Sequence, residues 1–196
     1  VADILSTGSR VKGIRLGNGE VLEADSVVLA TGAYGGHLTE KFGLCLPVQA
    51  GKGYHRDLDL AESGAPTLNI ACVMAETSVF CTPMGGFTRL AGTMEFSGVN
   101  RELRRGRLDQ LTVAARGYLK GVGDAPCYSE WCGLRPCTPD GMPFVGPVPG
   151  QSGLFVATGH AMLGLTLGPI TGKLIEEYVL QGVTSLNARP LELTRL

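Results

Sequence analysis

The sequence predicts a mixed fold, α/β and α+β, in which a partial nucleotide-type α/β domain is interrupted by an antiparallel sheet. Two short segments, 26–30 and 154–158, are continuously apolar, as expected for parallel strands covered on both faces. Between them, residues 46–98 look like short strands joined by tight turns. Apolar residues at helical spacing follow over 108–119. The outer segments therefore bracket a middle block of different character.

The composition excludes several classes of protein. The 196 residues carry 17 Lys and Arg against 18 Asp and Glu, a formal net charge of −1. This balance gives no overall basic field that would hold nucleic acid or an anionic membrane, so we expect no nucleic-acid partner. Apolar residues make up 44% and charged residues 18%, which excludes disorder as the main state.

The first strands are predicted around a glycine turn. Residues 10–16 and 20–24 alternate on either side of Gly17-Asn18-Gly19, a pattern typical of a hairpin. Segment 26–30 then runs into a turn rich in glycine, at the end of a strand where open α/β sheets bind ligands. In the middle block, the expected strands are 46–55, 71–74, 79–83 and 88–96.

The second half is predicted as loop, strand, turn and helix. Residues 131–150 contain five prolines, which we expect to give a rigid extended loop. After strand 154–158, a glycine-bounded turn at 159–164 leads to a helix expected over 169–180. That helix has a proline at its start and a glycine past its end.

The six cysteines and three histidines form no metal-binding pattern. No C-x-x-C pair occurs, and no signal peptide is recognisable. We therefore expect reduced thiols, no metal and a cytoplasmic location, with peripheral docking at the inner membrane left open. The uncharged segment 153–172 is interrupted by glycines and a proline, so it is not expected to span a membrane.

Arg135 is the most informative polar residue. It precedes Pro136 in the segment 133–141, so its backbone is restricted to extended conformations. A guanidinium held this rigidly can bind a carboxylate through two parallel hydrogen bonds. Pairing with an internal Asp or Glu explains the same residue equally well. Thr138 and Asp140 are expected to shape the turn.

Three further features have alternative interpretations. Residues 159–172 offer helix-start amides that attract negative charge, although a packed turn without a ligand fits the same pattern. Tyr54, on the alternating face of segment 46–55, either faces a cleft or packs in the core. A basic run is expected to be a solvated helix face, with a phosphate site as the alternative. It consists of Arg101, Arg104, Arg105 and Arg107.

Four motifs carry a family resemblance: VVLATGA at 27–33, PVQAGKGY at 47–54, WCGLRPCTPDG at 131–141 and TGHAMLGLT at 158–166. Together they resemble the FAD-dependent amino-acid dehydrogenases and oxidases of the D-amino-acid oxidase superfamily. The last three are closest to its D-amino-acid dehydrogenase branch, which includes D-hydroxyproline dehydrogenases.

The resemblance implies oxidative deamination of a D-amino acid, in which a hydride passes from Cα to FAD. Arg135 matches the arginine that binds the substrate carboxylate and is the implied catalytic residue, and Tyr54 is predicted as a second substrate contact. The amides near Gly164 match those that face the flavin N1–C2=O edge. The predicted FAD-binding residues are Thr31, Gly32, Gly133, Gly159, His160, Gly164, Leu165 and Thr166.

The resemblance implies that this chain is a fragment of a longer enzyme. Residues 1–45 and 131–196 would be the remainder of a FAD-binding domain, and residues 46–130 a substrate-binding domain. The family opens with a G-x-G-x-x-G fingerprint that this chain lacks. We therefore expect an amino-terminal half, in the same gene product or as another subunit, and no activity of this chain by itself. A glycine- or sarcosine-type amine oxidase and a non-catalytic flavin-fold subunit are the alternatives.

Overall fold

The computed structural model describes all 196 residues, which form two compact units. Unit 1 comprises residues 1–50 and 135–196, and unit 2 comprises residues 51–134. As predicted, the fold is mixed α/β with antiparallel sheets. The FAD-binding and substrate-binding functions expected of the two parts are not tested by their compactness and stay predictions.

Unit 1 contains two three-stranded sheets. The first is antiparallel and runs in the order β1 (Asp3–Thr7), β2 (Arg10–Arg15) and β3 (Val21–Glu23). The second runs in the order β10 (Phe144–Pro147), β11 (Leu154–Thr158) and β4 (Val27–Leu29). Strand β11 is antiparallel to β10 and parallel to β4, so the second sheet contains the predicted parallel pair.

The helices of unit 1 follow strands β4 and β11. Helix α1 (Gly36–Thr39) is short, and helix α3 (Gly164–Gln181) is the longest in the chain. Four 3-10 turns complete the unit, at Gly32–Tyr34, Glu40–Phe42, Arg189–Leu191 and Leu193–Arg195. Apolar side chains of α3 pack on the β10–β11 pair, which buries one side of this helix. They are Leu174, Ile175 and Tyr178.

Unit 2 is one five-stranded sheet with a helix. The strands are β5 (Gln49–Leu58), β6 (Cys72–Met74), β7 (Val79–Pro83), β8 (Thr88–Glu95) and β9 (Cys127–Cys137), in the order β6-β7-β8-β5-β9. Helix α2 (Arg105–Arg116) buries Leu108, Leu111 and Ala115 in the core with residues of the sheet. The helical apolar stripe in the sequence therefore identifies the buried side of α2.

Two local predictions are wrong. Residues 131–150 are not one loop, because they contain the end of β9 and all of β10. Both strands lie at sheet edges, where a proline without an N–H group costs no ladder hydrogen bond. Helix α3 begins at Gly164 rather than at Pro169. The carbonyl that lacks the Pro169 N–H belongs to Leu165, which is 98% exposed and open to water.

Candidate functional site

The two glycine turns predicted as ligand sites lie side by side in unit 1. Strands β4 and β11 are parallel, with Val27 opposite Leu154 and Leu29 opposite Val156. Their carboxyl ends therefore reach the same edge of the sheet. The Thr158 hydroxyl donates to the Gly32 carbonyl oxygen at 3.1 Å, which joins the two turns directly.

The turn after β4 has an unsatisfied polar atom. The Thr31 hydroxyl oxygen is buried and makes no hydrogen bond within the protein. Gly32 follows with φ +58°, and a Cβ at this position would meet no atom within 4 Å. Because buried polar atoms in proteins nearly always have partners, Thr31 is a position where an outside group could supply one.

The turn after β11 is tightly constrained. A Cβ at Gly159 would lie 2.5 Å from the Thr138 methyl carbon, so this position has room only for glycine. The Ala161 N–H donates to the Pro136 carbonyl oxygen at 2.9 Å. Ala161 itself has φ +46°, a left-handed conformation that is unfavourable for alanine. The turn is therefore held against the segment that follows Arg135.

The start of α3 presents open backbone amides. No side chain caps this end, and its first turn contains no acidic residue. The first amides of a helix have no acceptor within the helix, and they carry the positive end of the helix dipole. Leu165 and Thr166 are exposed. This end of α3 can therefore donate hydrogen bonds to an electron-rich group.

His160 lies between the turn and the helix. Its Nε2 atom is 2.9 Å from the Thr171 hydroxyl of α3. Burial lowers the pKa of this histidine, so the imidazole is neutral at pH 7. The contact with Thr171 indicates that His160 orients the turn relative to α3, and its role toward a cofactor stays a prediction.

Arg135 sits in the last residues of β9 and is half-buried. Burial lowers the pKa of its guanidinium, which remains charged at neutral pH because arginine titrates so far above it. Its neighbour Pro136 is bonded to Ala161, so Arg135 is tied to the turn after β11. The structure thus brings Arg135 together with the Gly159, His160 and Gly164 region inside one unit.

Two predicted site residues have clear packing roles in unit 2. Gly133 lies beneath the Trp131 indole, because a Cβ there would be 2.2 Å from the ring carbon Cη2. Tyr54 is 2% exposed in the core, and its hydroxyl donates to Glu95 at 3.0 Å. This placement favours the core-packing alternative for Tyr54. The binding roles of Gly133 and Tyr54 stay predictions.

The basic run pairs with acidic residues. Arg104 and Arg107 lie 3.3 and 3.4 Å from the carboxylate oxygens of Glu95. Arg105 bonds to Glu130 at 2.8 Å. These guanidinium groups are 42–70% exposed, so the run combines a solvated face with ion pairing.

Sequence reasoning missed two ionic groups. Lys52 is completely buried against Glu95 in unit 2, and Arg195 forms a two-pronged pair with Asp140 in unit 1. A signal existed for the first, because Lys52 falls on the alternating face of β5 that also carries Ala50 and Tyr54. A charge on a buried face requires a buried partner. Nothing local signals the second, since 55 residues separate its partners.

The edge of unit 1 fits a flavin dinucleotide. The unsatisfied Thr31 oxygen can bond to a polar part of the cofactor, and Gly32 leaves space for it. The uncapped start of α3 suits a group that gains negative charge on reduction. No side chain of the protein bonds to the Thr31 hydroxyl or caps the start of α3. No helix of this structure is both long and apolar enough to cross a bilayer.

Comparison with known proteins bears on the family of the chain. The profile of a family described as FAD dependent oxidoreductase, DAO, matches residues 1–178. A D-amino acid dehydrogenase of Methylobacterium nodulans is 39% identical over 181 residues, which cover 91% of this chain and 42% of the relative. A glycine oxidase of Pseudomonas putida is 34% identical over 170 residues, 87% of this chain and 45% of the relative. The chain thus spans less than half the length of these relatives.

Solved structures show the same fold. Glycine oxidase from Geobacillus kaustophilus aligns with a TM-score of 0.81 at 29% identity, over 100% of this chain and 52% of its own. L-proline dehydrogenase from P. horikoshii aligns with a TM-score of 0.83 over 97% of this chain and 51% of its own. Its sequence identity is 17%, so this similarity supports the fold alone. The predicted family resemblance is confirmed, and the chain belongs to the DAO family of FAD-dependent oxidoreductases.

Proposed function

We propose that the protein containing this chain oxidises the Cα–N bond of a D-amino acid with FAD as the oxidant. The main support is one observation: Arg135 is tied, through Pro136 and Ala161, to the turn that opens helix α3. A carboxylate-binding residue and an electron-accepting cofactor must be held close together for such a reaction. The relatives named D-amino acid dehydrogenase favour this substrate class.

In this proposal Arg135 binds the substrate carboxylate through two parallel hydrogen bonds and so fixes the orientation of Cα. FAD, when bound, would supply the two-electron oxidant for the hydride lost from Cα. The amino group then loses a proton, and water hydrolyses the resulting imine to a 2-oxo acid and ammonia. The first-turn amides of α3, at Gly164, Leu165 and Thr166, would stabilise the negative charge gained on reduction.

Thr31 and Gly32 would hold the cofactor at the neighbouring turn. The buried Thr31 hydroxyl would gain its missing partner, and the absence of atoms near Gly32 would allow close approach of the dinucleotide. Thr158 and His160 would keep the two turns in place through their bonds to Gly32 and Thr171.

Most of the FAD-binding contacts would come from an amino-terminal half with a G-x-G-x-x-G fingerprint. The matching relatives are more than twice as long as the part that this chain covers, and no such fingerprint occurs in the sequence. This half would be the partner of the chain, as part of the same polypeptide or as a second subunit. The six unpaired cysteines favour a reducing compartment such as the cytoplasm, and peripheral docking at the inner membrane is the alternative.

A glycine- or sarcosine-type amine oxidase is the second candidate. The Pseudomonas putida glycine oxidase, at 34% identity, favours it. Reduction of an artificial dye without oxygen consumption would identify a dehydrogenase, whereas oxygen consumption with peroxide release would identify an oxidase. A protein that takes up no flavin would support the non-catalytic alternative.

The proposal is tested with Arg135→Lys in the flavin-containing protein. Lysine keeps the positive charge but cannot form the two parallel hydrogen bonds of a guanidinium. KM for the D-amino acid should therefore rise about 10- to 100-fold while the visible flavin spectrum is retained. Arg189→Lys, an exposed arginine on the last segment of the chain, is the matched control. Unchanged KM in Arg135→Lys would contradict the carboxylate role.

A further inference from the structure

The last residues of the chain are bonded to the turn that follows Arg135. The Arg195 guanidinium donates from Nε to Asp140 Oδ2 at 2.8 Å and from Nη2 to Asp140 Oδ1 at 3.1 Å. It also donates to the Met142 and Pro143 carbonyl oxygens at 2.7 and 3.1 Å. Its central carbon lies 3.8 Å from the centre of the Phe144 ring. The side chain is 10% exposed, so this is a desolvated and nearly saturated guanidinium.

The turn that Arg195 binds, residues 138–142, is also closed internally. The Thr138 hydroxyl donates to the Met142 carbonyl oxygen at 2.8 Å, and the Met142 N–H donates to Asp140 at 3.1 Å. Arg195 shares both acceptors, the Met142 carbonyl oxygen and the Asp140 carboxylate. Loss of Arg195 therefore removes the outer support of the turn while its internal bonds remain.

This turn is connected to both parts of the candidate site. The Thr138 methyl packs on Gly159, and the Pro136 carbonyl oxygen accepts from Ala161. Only Pro136 and Cys137 separate Arg135 from the turn, and proline allows little backbone rotation. The connection is therefore short and partly restricted, so a shift of residues 138–142 can be passed to Arg135.

Arg195 lies beyond residue 178, where the match to the family profile ends. We propose that Arg195 is a positioning residue for Arg135, acting through Asp140 and the turn 138–142 to fix the guanidinium that binds the substrate carboxylate. This inference rests on the proposed function of Arg135.

The first test measures binding of a carboxylate in the flavin-containing protein. Benzoate, which has no amine to oxidise, is titrated while the visible flavin spectrum is followed, and KM and kcat for the D-amino acid are measured in parallel. Arg195→Ala should raise the benzoate Kd and KM about tenfold while kcat changes less than about threefold. Flavin content should be unchanged, Arg195→Lys should lie in between, and the exposed Arg189→Ala should match the parent protein.

Asp140→Asn provides a variant for the case that Arg195→Ala does not fold. It keeps the contacts of Arg195 with main-chain carbonyls but weakens the ionic fork, so the benzoate Kd should rise about threefold. A fall in thermal stability with an unchanged benzoate Kd, in either variant that folds, would show a purely structural role and overturn the inference.

A double-mutant cycle tests whether Arg195 acts through Arg135. In the Arg135→Ala background, Arg195→Ala should add less than about twofold to the benzoate Kd, because the positioned group is absent. A further tenfold loss there would overturn the inference. If Arg135→Ala alone leaves the benzoate Kd unchanged, the proposed function fails and this inference fails with it. If Arg135→Ala weakens binding and Arg195→Ala does not, only this inference fails.

Discussion

The ionic cluster around the buried Lys52 in unit 2 and the glycine turns of unit 1 differ in how completely their polar groups are bonded. In unit 2, the fully buried Lys52 ammonium lies 3.2 Å from Glu95, 2.7 Å from the Asn100 side chain and 3.0 Å from the Glu102 carbonyl oxygen. In unit 1, the Thr31 hydroxyl has no partner, and α3 starts without a side-chain cap. The charged groups around Lys52 are all bonded within the protein, whereas the Thr31 hydroxyl and the first amides of α3 are not bonded to any side chain. Of these two regions, the candidate ligand site is therefore the one with incomplete hydrogen bonding, not the one with buried charge.

A β-bulge builds the charged cluster of unit 2. The register of β5 against β8 shifts between Lys52 and Tyr54, so that Lys52 is opposite Glu95 while Tyr54 is opposite Gly92. Thr93, in the shifted part of β8, has φ +62°. The extra residue brings the Glu95 side chain beside Lys52 and the Tyr54 hydroxyl. Irregular backbone here serves the structure of unit 2, in contrast to Ala161 beside the candidate site.

The largest effect is expected from breaking the complete cluster. Lys52→Ala removes a buried cation and its packed stem, so the free energy of unfolding should fall by about 3–5 kcal/mol. Urea denaturation followed by the fluorescence of Trp131, the single tryptophan of the chain, measures this loss in unit 2. Lys120→Ala, at an exposed position of the same unit, should change stability by less than about 0.5 kcal/mol. Equal effects of the two variants would show that Lys52 is not energetically special.

Acid should weaken the same cluster. The Ser97 hydroxyl, with Lys52 and Tyr54, lowers the pKa of Glu95 from 4.5 to about 2 against the opposing effect of burial. Because the pKa is lower in the folded protein, the ionised Glu95 stabilises the fold at pH values above 4.5, the pKa of the unfolded chain. This stabilisation is lost as the pH falls from 4.5 toward 2. The loss should be about 3 kcal/mol at 1.36 kcal/mol per pH unit. Denaturation measured at several pH values in this range gives the free energy of unfolding as a function of pH. In Glu95→Gln this free energy should depend less on pH than in the parent protein.

Gly133 distinguishes packing from cofactor binding. In Gly133→Ala the new methyl would collide with the Trp131 indole, which stacks on His55 at a ring distance of 5.3 Å. We expect a loss of about 1–2 kcal/mol and a shifted tryptophan emission. Gly106→Ala in helix α2, where a Cβ meets no atom within 4 Å, should instead stabilise by about 0.5–1 kcal/mol. If Gly133→Ala loses flavin but leaves the emission unchanged, the packing explanation is wrong.

The smallest effect should come from Ala161 in the turn of unit 1. Ala161→Gly relieves the left-handed conformation, which costs about 1–2 kcal/mol, but adds freedom to the unfolded chain. A net gain of about 0.5 kcal/mol in thermal denaturation is expected. Ala157→Gly, in strand β11, should destabilise by about 0.5–1 kcal/mol. A loss of stability in Ala161→Gly would mean that the methyl group is needed for packing.

The sequence predicted local elements better than long-range contacts. The pattern of short strands and turns predicted β7 at its observed bounds, and the continuously apolar segments identified the parallel pair β4 and β11. Strand β9 was not predicted, and its last residues were assigned to a loop because prolines remove ladder donors, a defect that matters only in the interior of a sheet. Motifs drew attention to Arg135, whereas the support from Arg195 depends on side chains distant in sequence that no local pattern relates.

The parallel pairing of β4 with β11 has a consequence for synthesis. Val27 pairs with Leu154, so the earlier strand leaves the ribosome long before its partner exists. At about 5–20 residues per second, β4 waits roughly 6–25 s with an open edge and apolar side chains. All of unit 2 is translated during this delay, so it can complete its sheet first. Newly made chains should therefore depend on chaperones most strongly while β4 is still unpaired.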